Sequence, residues 1–215
     1  MLEALRQEVF DLNLELPRQG LVVMTSGNVS GRDPETNLVV IKPSGVRYER
    51  MKAQDLVILD LDGKVIEGDL SPSVDTESHL YIYRNMPEVY GVCHTHSTFA
   101  SVYAAIGRPI PACLTTTAML GGEIPVGDFI PLSGSAIGEE VVRKIGDKKA
   151  ILMQNHGIFT IGKDAYHATK MAIEVEQIAK ITCFASLLGN PIVLDDEQIN
   201  VFANIYLNVY GQHPK

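Results

Sequence analysis

Apolar residues recur with two spacings along this chain, and the switching between them outlines its elements. Leu2, Leu5, Val9 and Leu12 fall on one helical stripe, which Pro17 and Gly20 end. A short apolar run at 21–24 feeds Thr25-Ser26-Gly27-Asn28-Val29-Ser30, a loop of small hydroxyls, an amide and a glycine. Leu38-Val39-Val40-Ile41 reads as a buried strand running into Lys42-Pro43-Ser44-Gly45, and the runs 56–61 and 64–67 flank the hairpin signal Asp62-Gly63. Asp75 stands near the N-cap of a helix over 76–85, which Pro87 stops.

The apolar run 89–93 then delivers His94-Thr95-His96. A helical pattern over 98–106 is followed by extended pieces at 110–114 and 124–126, a Gly/Pro-broken loop to Ser133, and a short helix over 134–145. Residues 150–154 form a buried-type strand, Asn155-His156-Gly157 a turn, and 158–161 a strand leading away. Asp164 caps a long helix with Ala168, Met171, Ala172, Val175, Ile178, Ala179, Thr182 and Ala185 on its stripe, closed by Gly189 and Pro191. A last helix begins at Asp195 and ends in the tail Tyr210-Gly211-Gln212. With no repeat or linker, the pattern predicts one domain over 1–215, an α/β fold with a largely antiparallel sheet layered with helices.

Composition narrows the function. A chain of 215 residues with net charge −8 lacks the basic face that nucleic acid or an anionic membrane requires. Trp is absent and aromatics are few, which argues against a stacking platform for bases. The odd, widely spaced Cys93, Cys113 and Cys183 build neither a disulfide framework nor a Cys-rich metal site. The charged, helical N-terminus is unlike a signal peptide, and no apolar run approaches membrane-spanning length, so a cytoplasmic location is expected.

Candidate chemistry begins with His94 and His96. In an extended segment residues i and i+2 point to one side, so both imidazoles aim at one spot, half of a metal site. His156, in a turn at the end of a buried strand, would complete three imidazoles, the usual protein share of an open catalytic zinc site. Asp75 is read first as a helix cap, His79 as structural, and His167 and His213 as solvated background. Asn28, Ser44, Gly45 and Ser73 offer uncharged donors and Lys42 adds a cation; such a set either holds a phosphate or merely makes turns.

Together these pieces resemble a known family. Thr25-Ser26-Gly27-Asn28-Val29-Ser30, Ile41-Lys42-Pro43-Ser44-Gly45-Val46, Pro72-Ser73-Val74-Asp75-Thr76, His94-Thr95-His96-Ser97 and Asn155-His156-Gly157 occur in order, as in the class II aldolase/adducin family. The likeness is closest to its L-ribulose-5-phosphate 4-epimerase branch, which Tyr210-Gly211-Gln212 also matches, and extends to L-fuculose-1-phosphate aldolase. The resemblance implies a three-layer α/β/α sandwich with a central, mainly antiparallel sheet, assembled as a homotetramer with active sites between subunits. It implies a divalent metal, zinc or else manganese or cobalt, on His94, His96 and His156 with Asp75 as a metal-associated carboxylate. Asn28, Lys42, Ser44, Gly45 and Ser73 would grip the phosphate of a sugar-phosphate substrate, and Tyr210 would act as acid/base from an adjacent subunit.

The implied reaction is metal-dependent 4-epimerisation of a sugar phosphate, L-ribulose 5-phosphate to D-xylulose 5-phosphate, by cleaving and re-forming C3–C4. The alternative is a class II aldolase that releases dihydroxyacetone phosphate and an aldehyde from a ketose 1-phosphate. A non-catalytic scaffold, as adducin heads are, fits poorly with three intact histidines. The sequence departs from both enzyme patterns at one place: Met119 replaces the epimerase Asp and Thr115 the aldolase Tyr, with Glu123 the nearest carboxylate. Val74 also replaces the second serine of a Pro-Ser-Ser motif, removing one hydroxyl from the phosphate grip.

Overall fold

The structure is a computed structural model and describes residues 2–131 and 133–210. Stretches of β-branched and aliphatic residues form β1 (Asn28–Arg32), β2 (Val39–Ile41), β3 (Val57–Leu59), β4 (Val65–Glu67), β5 (Gly91–Thr95), β6 (Val126–Gly127), β7 (Ala150–Met153) and β8 (Ile158–Gly162). They pair into one sheet in the order β4-β3-β2-β1-β5-β8-β7-β6. Every pairing is antiparallel except that of the two-residue β6 with β7.

Helices cover both faces. α1 (Glu3–Arg18), α3 (Thr98–Ala105) and α5 (Ala165–Leu188) bury Val9, Leu16, Ala100, Ala168, Ala172 and Val175 with Val29, Cys93 and Ile158 of the sheet. α2 (Thr76–Asn85) and α4 (Ala136–Ile145) bury Leu80, Ile82, Ile137 and Val141 with Val92, Phe159 and Ile161 on the other face. Successive strand residues face opposite sides, so this division puts Val92 and His94 on the α2/α4 side and Cys93 on the other. The expected three-layer α/β/α sandwich with a mainly antiparallel sheet is the observed architecture. α6 (Asp196–Asn208) lies outside it, packing Ile199 against Ala112 and Ala118.

Three expectations change in detail. α1 runs through Pro17 to Arg18, although Pro17 has no N–H to give to the carbonyl of Asn13. The supposed loop 25–30 is already strand from Asn28 onward, paired with β2 and β5. Residues 110 and 124 meet in a single bridge, while Thr115–Leu120 winds into a 3-10 helix. Gly211, Gln212 and His213 lie outside the described residues.

The register brings three glycines into one row: Gly31 opposite Gly91 and Gly91 opposite Gly162. The start of α5 lies directly over this row. A Cβ on Gly91 would sit 2.1 Å from the Asp164 carbonyl oxygen, and one on Gly162 would sit 2.5 Å from the Ala168 nitrogen. Missing side chains therefore let a helix backbone approach the strand that ends in the histidine pair. Gly91→Ala is expected to lower unfolding stability by about 1–3 kcal/mol through overpacking, read as a shifted urea midpoint at unchanged slope.

Candidate metal centre and active site

β5 carries His94 on its α2/α4 face, and the backbone stays extended long enough to bring His96 beside it. Their Nε2 atoms are 3.0 Å apart. His156 comes from the turn between β7 and β8, where Asn155 adopts a left-handed φ of 57°. Gly157 follows because a Cβ there would meet the Thr95 carbonyl oxygen at 2.4 Å and His96 Cδ2 at 2.9 Å. One ring nitrogen from each of His94, His96 and His156 lies within 4.8 Å of the others.

The environment prepares these nitrogens as ligands. His94 Nδ1 lies 2.8 Å from the carbonyl oxygen of Ile158. A carbonyl only accepts, so Nδ1 carries the hydrogen and Nε2 presents a bare lone pair to the site. Phe159, paired across the strands with His94, stacks under its ring at 4.3 Å with 19° between planes. Burial drives the His94 pKa far down, to about 3, with Asp75 opposing. Burial also lowers His96 and His156. Three neutral imidazoles, each bringing a ring nitrogen close to the others, fit a divalent cation. Two nitrogens each about 2.0–2.1 Å from a tetrahedral zinc stand roughly 3.3 Å apart, close to the separation seen here.

Asp75 stands beside this group rather than within it. It occupies the N-cap position of α2, yet its side chain makes no capping bond. Its Oδ2 accepts instead from Asn28 Nδ2 at 2.7 Å, and the same amide reaches Ser73 Oγ at 3.0 Å. Burial pushes the Asp75 carboxyl up, but His94, His79, the Asn28 amide and His156 outweigh it and hold it below the usual carboxylate range.

A cavity of about 320 Å³ opens over these groups, lined by Asn28, Lys42, Ser44, Gly45, Ser73, Asp75, His94, His96 and His156 among others. All the residues of the two candidate constellations thus meet in one place, apart from the tail tyrosine. Lys42 is 2% exposed, with Nζ donating to the carbonyls of Thr25 and Pro43 and lying 4.9 Å from the Tyr48 ring. Burial lowers its pKa, and the Asp75 charge works against that. Val74 also lines the cavity, so the lost serine hydroxyl is lost at its wall.

Other residues stay apart. Tyr210 is exposed at the end of α6, its ring 5.6 Å from Tyr206, and does not line the cavity. Met119 packs against the hydrophobic core, and neither it nor Thr115 nor Glu123 lines the cavity among the described residues. His167 takes part in the α5 cap, its Nδ1 2.7 Å from Asp164 Oδ1, rather than standing free in solvent.

The profile described as Class II Aldolase and Adducin N-terminal domain matches residues 7–183. The chain belongs to that family. Within the family it is 43% identical, over 93% of each chain, to a protein of Salmonella paratyphi C (strain RKS4594) named L-ribulose-5-phosphate 4-epimerase UlaF. A solved structure titled L-fuculose 1-phosphate aldolase shares 30% identity and a TM-score of 0.91, covering 95% of this chain and 96% of its own. A further one, YgbL from Escherichia coli, is 22% identical with a TM-score of 0.79 over 94% and 98%, which adds to the fold alone.

Phe159 and the Ile158 carbonyl went unnoticed in the sequence because an apolar strand gives no sign of what it stacks against. His79 is better placed than its sequence suggested. It is fully buried, with Nδ1 2.7 Å from Ser30 Oγ, which in turn lies 2.7 Å from the Tyr83 hydroxyl. Burial drives its pKa to about 4, with Asp75 opposing. The unfolded chain then binds more protons than the folded one below pH 6.5, so His79 leaves stability intact above that value and erodes it on descent toward pH 4. Metal-free protein is expected to lose about 3 kcal/mol from this group across that window, measured by urea unfolding at pH 7 and 4. The loss should shrink in His79→Asn.

Proposed function

We propose that this chain is a divalent-metal-dependent sugar-phosphate 4-epimerase of the L-ribulose 5-phosphate to D-xylulose 5-phosphate type. The observation that carries the reading is the convergence of three neutral imidazoles in a cavity that Lys42, Ser44, Gly45 and Ser73 also line. The relative at 43% identity bears the name of that activity.

Bound at His94, His96 and His156, zinc (or manganese or cobalt) supplies Lewis acidity toward the ketose oxygens. The chain does the rest. Lys42, Ser44, Gly45, Ser73 and Asn28 hold the phosphate and fix where the sugar carbons lie, which confines the reacting bond to the histidine end. A base takes the C4 hydroxyl proton, and the C3–C4 electrons pass to the carbonyl, leaving an enediolate fragment and an aldehyde. The aldehyde turns over its own C–C bond, C3 attacks its other face, and the new C4 alkoxide recovers a proton. Asp75, charged and anchored by Asn28, is the carboxylate at this centre.

Tyr210 is the acid/base, delivered from a neighbouring subunit of a homotetramer. Support for the assembly comes from the exposed apolar side chains of Leu187, Leu188, Ile192, Val193, Leu207 and Val209 on the last two helices and their connection. No described helix is long and apolar enough to cross a membrane, and a cytoplasmic location belongs to the same reading. Met119, in place of the epimerase Asp, favours one second reading: a ketose-1-phosphate aldolase of the L-fuculose 1-phosphate type, which needs no proton shuttle to a retained aldehyde.

Incubating metal-loaded protein with L-ribulose 5-phosphate and, separately, L-fuculose 1-phosphate separates the two. D-xylulose 5-phosphate is the expected product, whereas dihydroxyacetone phosphate release from the second substrate points to the aldolase. His96→Ala is expected to lose bound metal and activity together, by elemental analysis and coupled assay. Tyr210→Phe is expected to slow turnover by at least tenfold at unchanged metal content; an unaltered rate removes it from the mechanism.

A further inference from the structure

The rings of the histidine group are not equally secured. His94 is buried, bonded through Nδ1 to Ile158 and stacked on Phe159. His96 is exposed, and among the described residues its ring meets a hydrogen-bonding group only at His94 Nε2. Its position therefore depends on its backbone. On one side that backbone is held by β5, whose last residue Thr95 pairs with Ile158. On the other it enters α3 at Thr98, two residues further on.

The entry to α3 is held in an unusual way. A helix start leaves several N–H groups without intrahelical partners, and the N-cap side chain normally takes one. Ser97 occupies the N-cap but makes no such bond, and its Oγ is buried without a partner. Glu176 of α5 does the work from 77 residues away. Its Oε1 accepts from the Phe99 N–H at 2.9 Å, and its Oε2 accepts from Phe99 at 3.1 Å and Ala100 at 3.0 Å. A carboxylate at a helix N-terminus also meets the positive end of the helix dipole.

The same stripe of α5 grips Phe99 twice more. Lys180 Nζ lies 5.8 Å from the Phe99 ring centroid, and the Phe184 ring lies 5.6 Å from it. At its other end α5 is seated on the glycine row of β1, β5 and β8. The helix is thus a strut whose foot rests on the strand of His94 and whose middle holds the segment that follows His96.

We propose that Glu176 is a positioning residue for the metal centre, holding His96 at the ligand position through the first turn of α3. This rests on the reading of His94, His96 and His156 as metal ligands. Removing the carboxylate frees the helix start and lets the least secured ring drift, without touching any ligand atom.

Zinc affinity by chelator competition, the visible spectrum of the cobalt-substituted protein and metal-free urea unfolding are measured for wild type, Glu176→Gln and Glu176→Ala. Outer partners of metal ligands change affinity by about 10–100-fold when lost. Glu176→Ala is expected to weaken zinc by that amount and alter the cobalt bands, and Glu176→Gln, which keeps one acceptor oxygen, to do less of both. Unchanged zinc affinity and cobalt spectrum with only a lower urea midpoint overturn the proposal, leaving Glu176 a structural cap. Should Glu176→Ala fail to fold, Glu176→Gln decides, and wild-type affinity there overturns it equally. Wild-type protein that binds neither ion defeats the metal reading itself and the proposal with it; wild-type binding with unaffected variants defeats the proposal alone.

Discussion

The register of the three central strands is the constraint on which the site depends. Asn28, His94 and Phe159 stand in one line across β1, β5 and β8, and all three face α2. A slip of one residue would turn every side chain of a strand to the opposite face, sending His94 toward α5 and Cys93 toward Asp75. Buried apolar residues on both faces make such a slip costly, since Cys93, Val92 and Val29 would all leave their clusters. The hydrophobic core therefore does not merely support the polar centre. It decides which groups can be members of it.

Burial then sets the chemistry of those members. Imidazoles taken out of water stay neutral, which is the state in which they can bind a cation. The Asp75 carboxylate beside them accepts a hydrogen bond from the Asn28 amide. Lys42 is the opposite case, a cation retained in a buried wall by two carbonyls and an aromatic face. The cavity is thus lined both by imidazoles that can accept a cation and by a buried lysine with small polar residues.

Much of this was legible in the sequence because it is local. The i, i+2 spacing of His94 and His96, the turn after a buried strand at His156, and the small-residue loops at 28 and 44 are short-range signals that survive without tertiary information. The reading of Asp75 as a cap had the right position and the wrong bond, since composition before a helix cannot tell whether the carboxylate folds back or reaches across. Illegible were the groups that act over long separations: Phe159 under His94, the glycines opposite one another, and Glu176 reaching α3. Each depends on which strands become neighbours, and nothing in a single run of residues states that. Met119 and Thr115 were seen as departures from a pattern, and the structure keeps both out of the cavity wall.

One consequence concerns the order of events in synthesis. Ile158, which orients the His94 ring, lies 64 residues further along the chain, and β8 must insert between β5 and β7 before the two meet. A ribosome-bound fragment ending before residue 156 carries a His-Thr-His pair with no third imidazole and no Ile158 carbonyl to fix a tautomer. The gathering of the three imidazoles is accordingly an act of the folded chain.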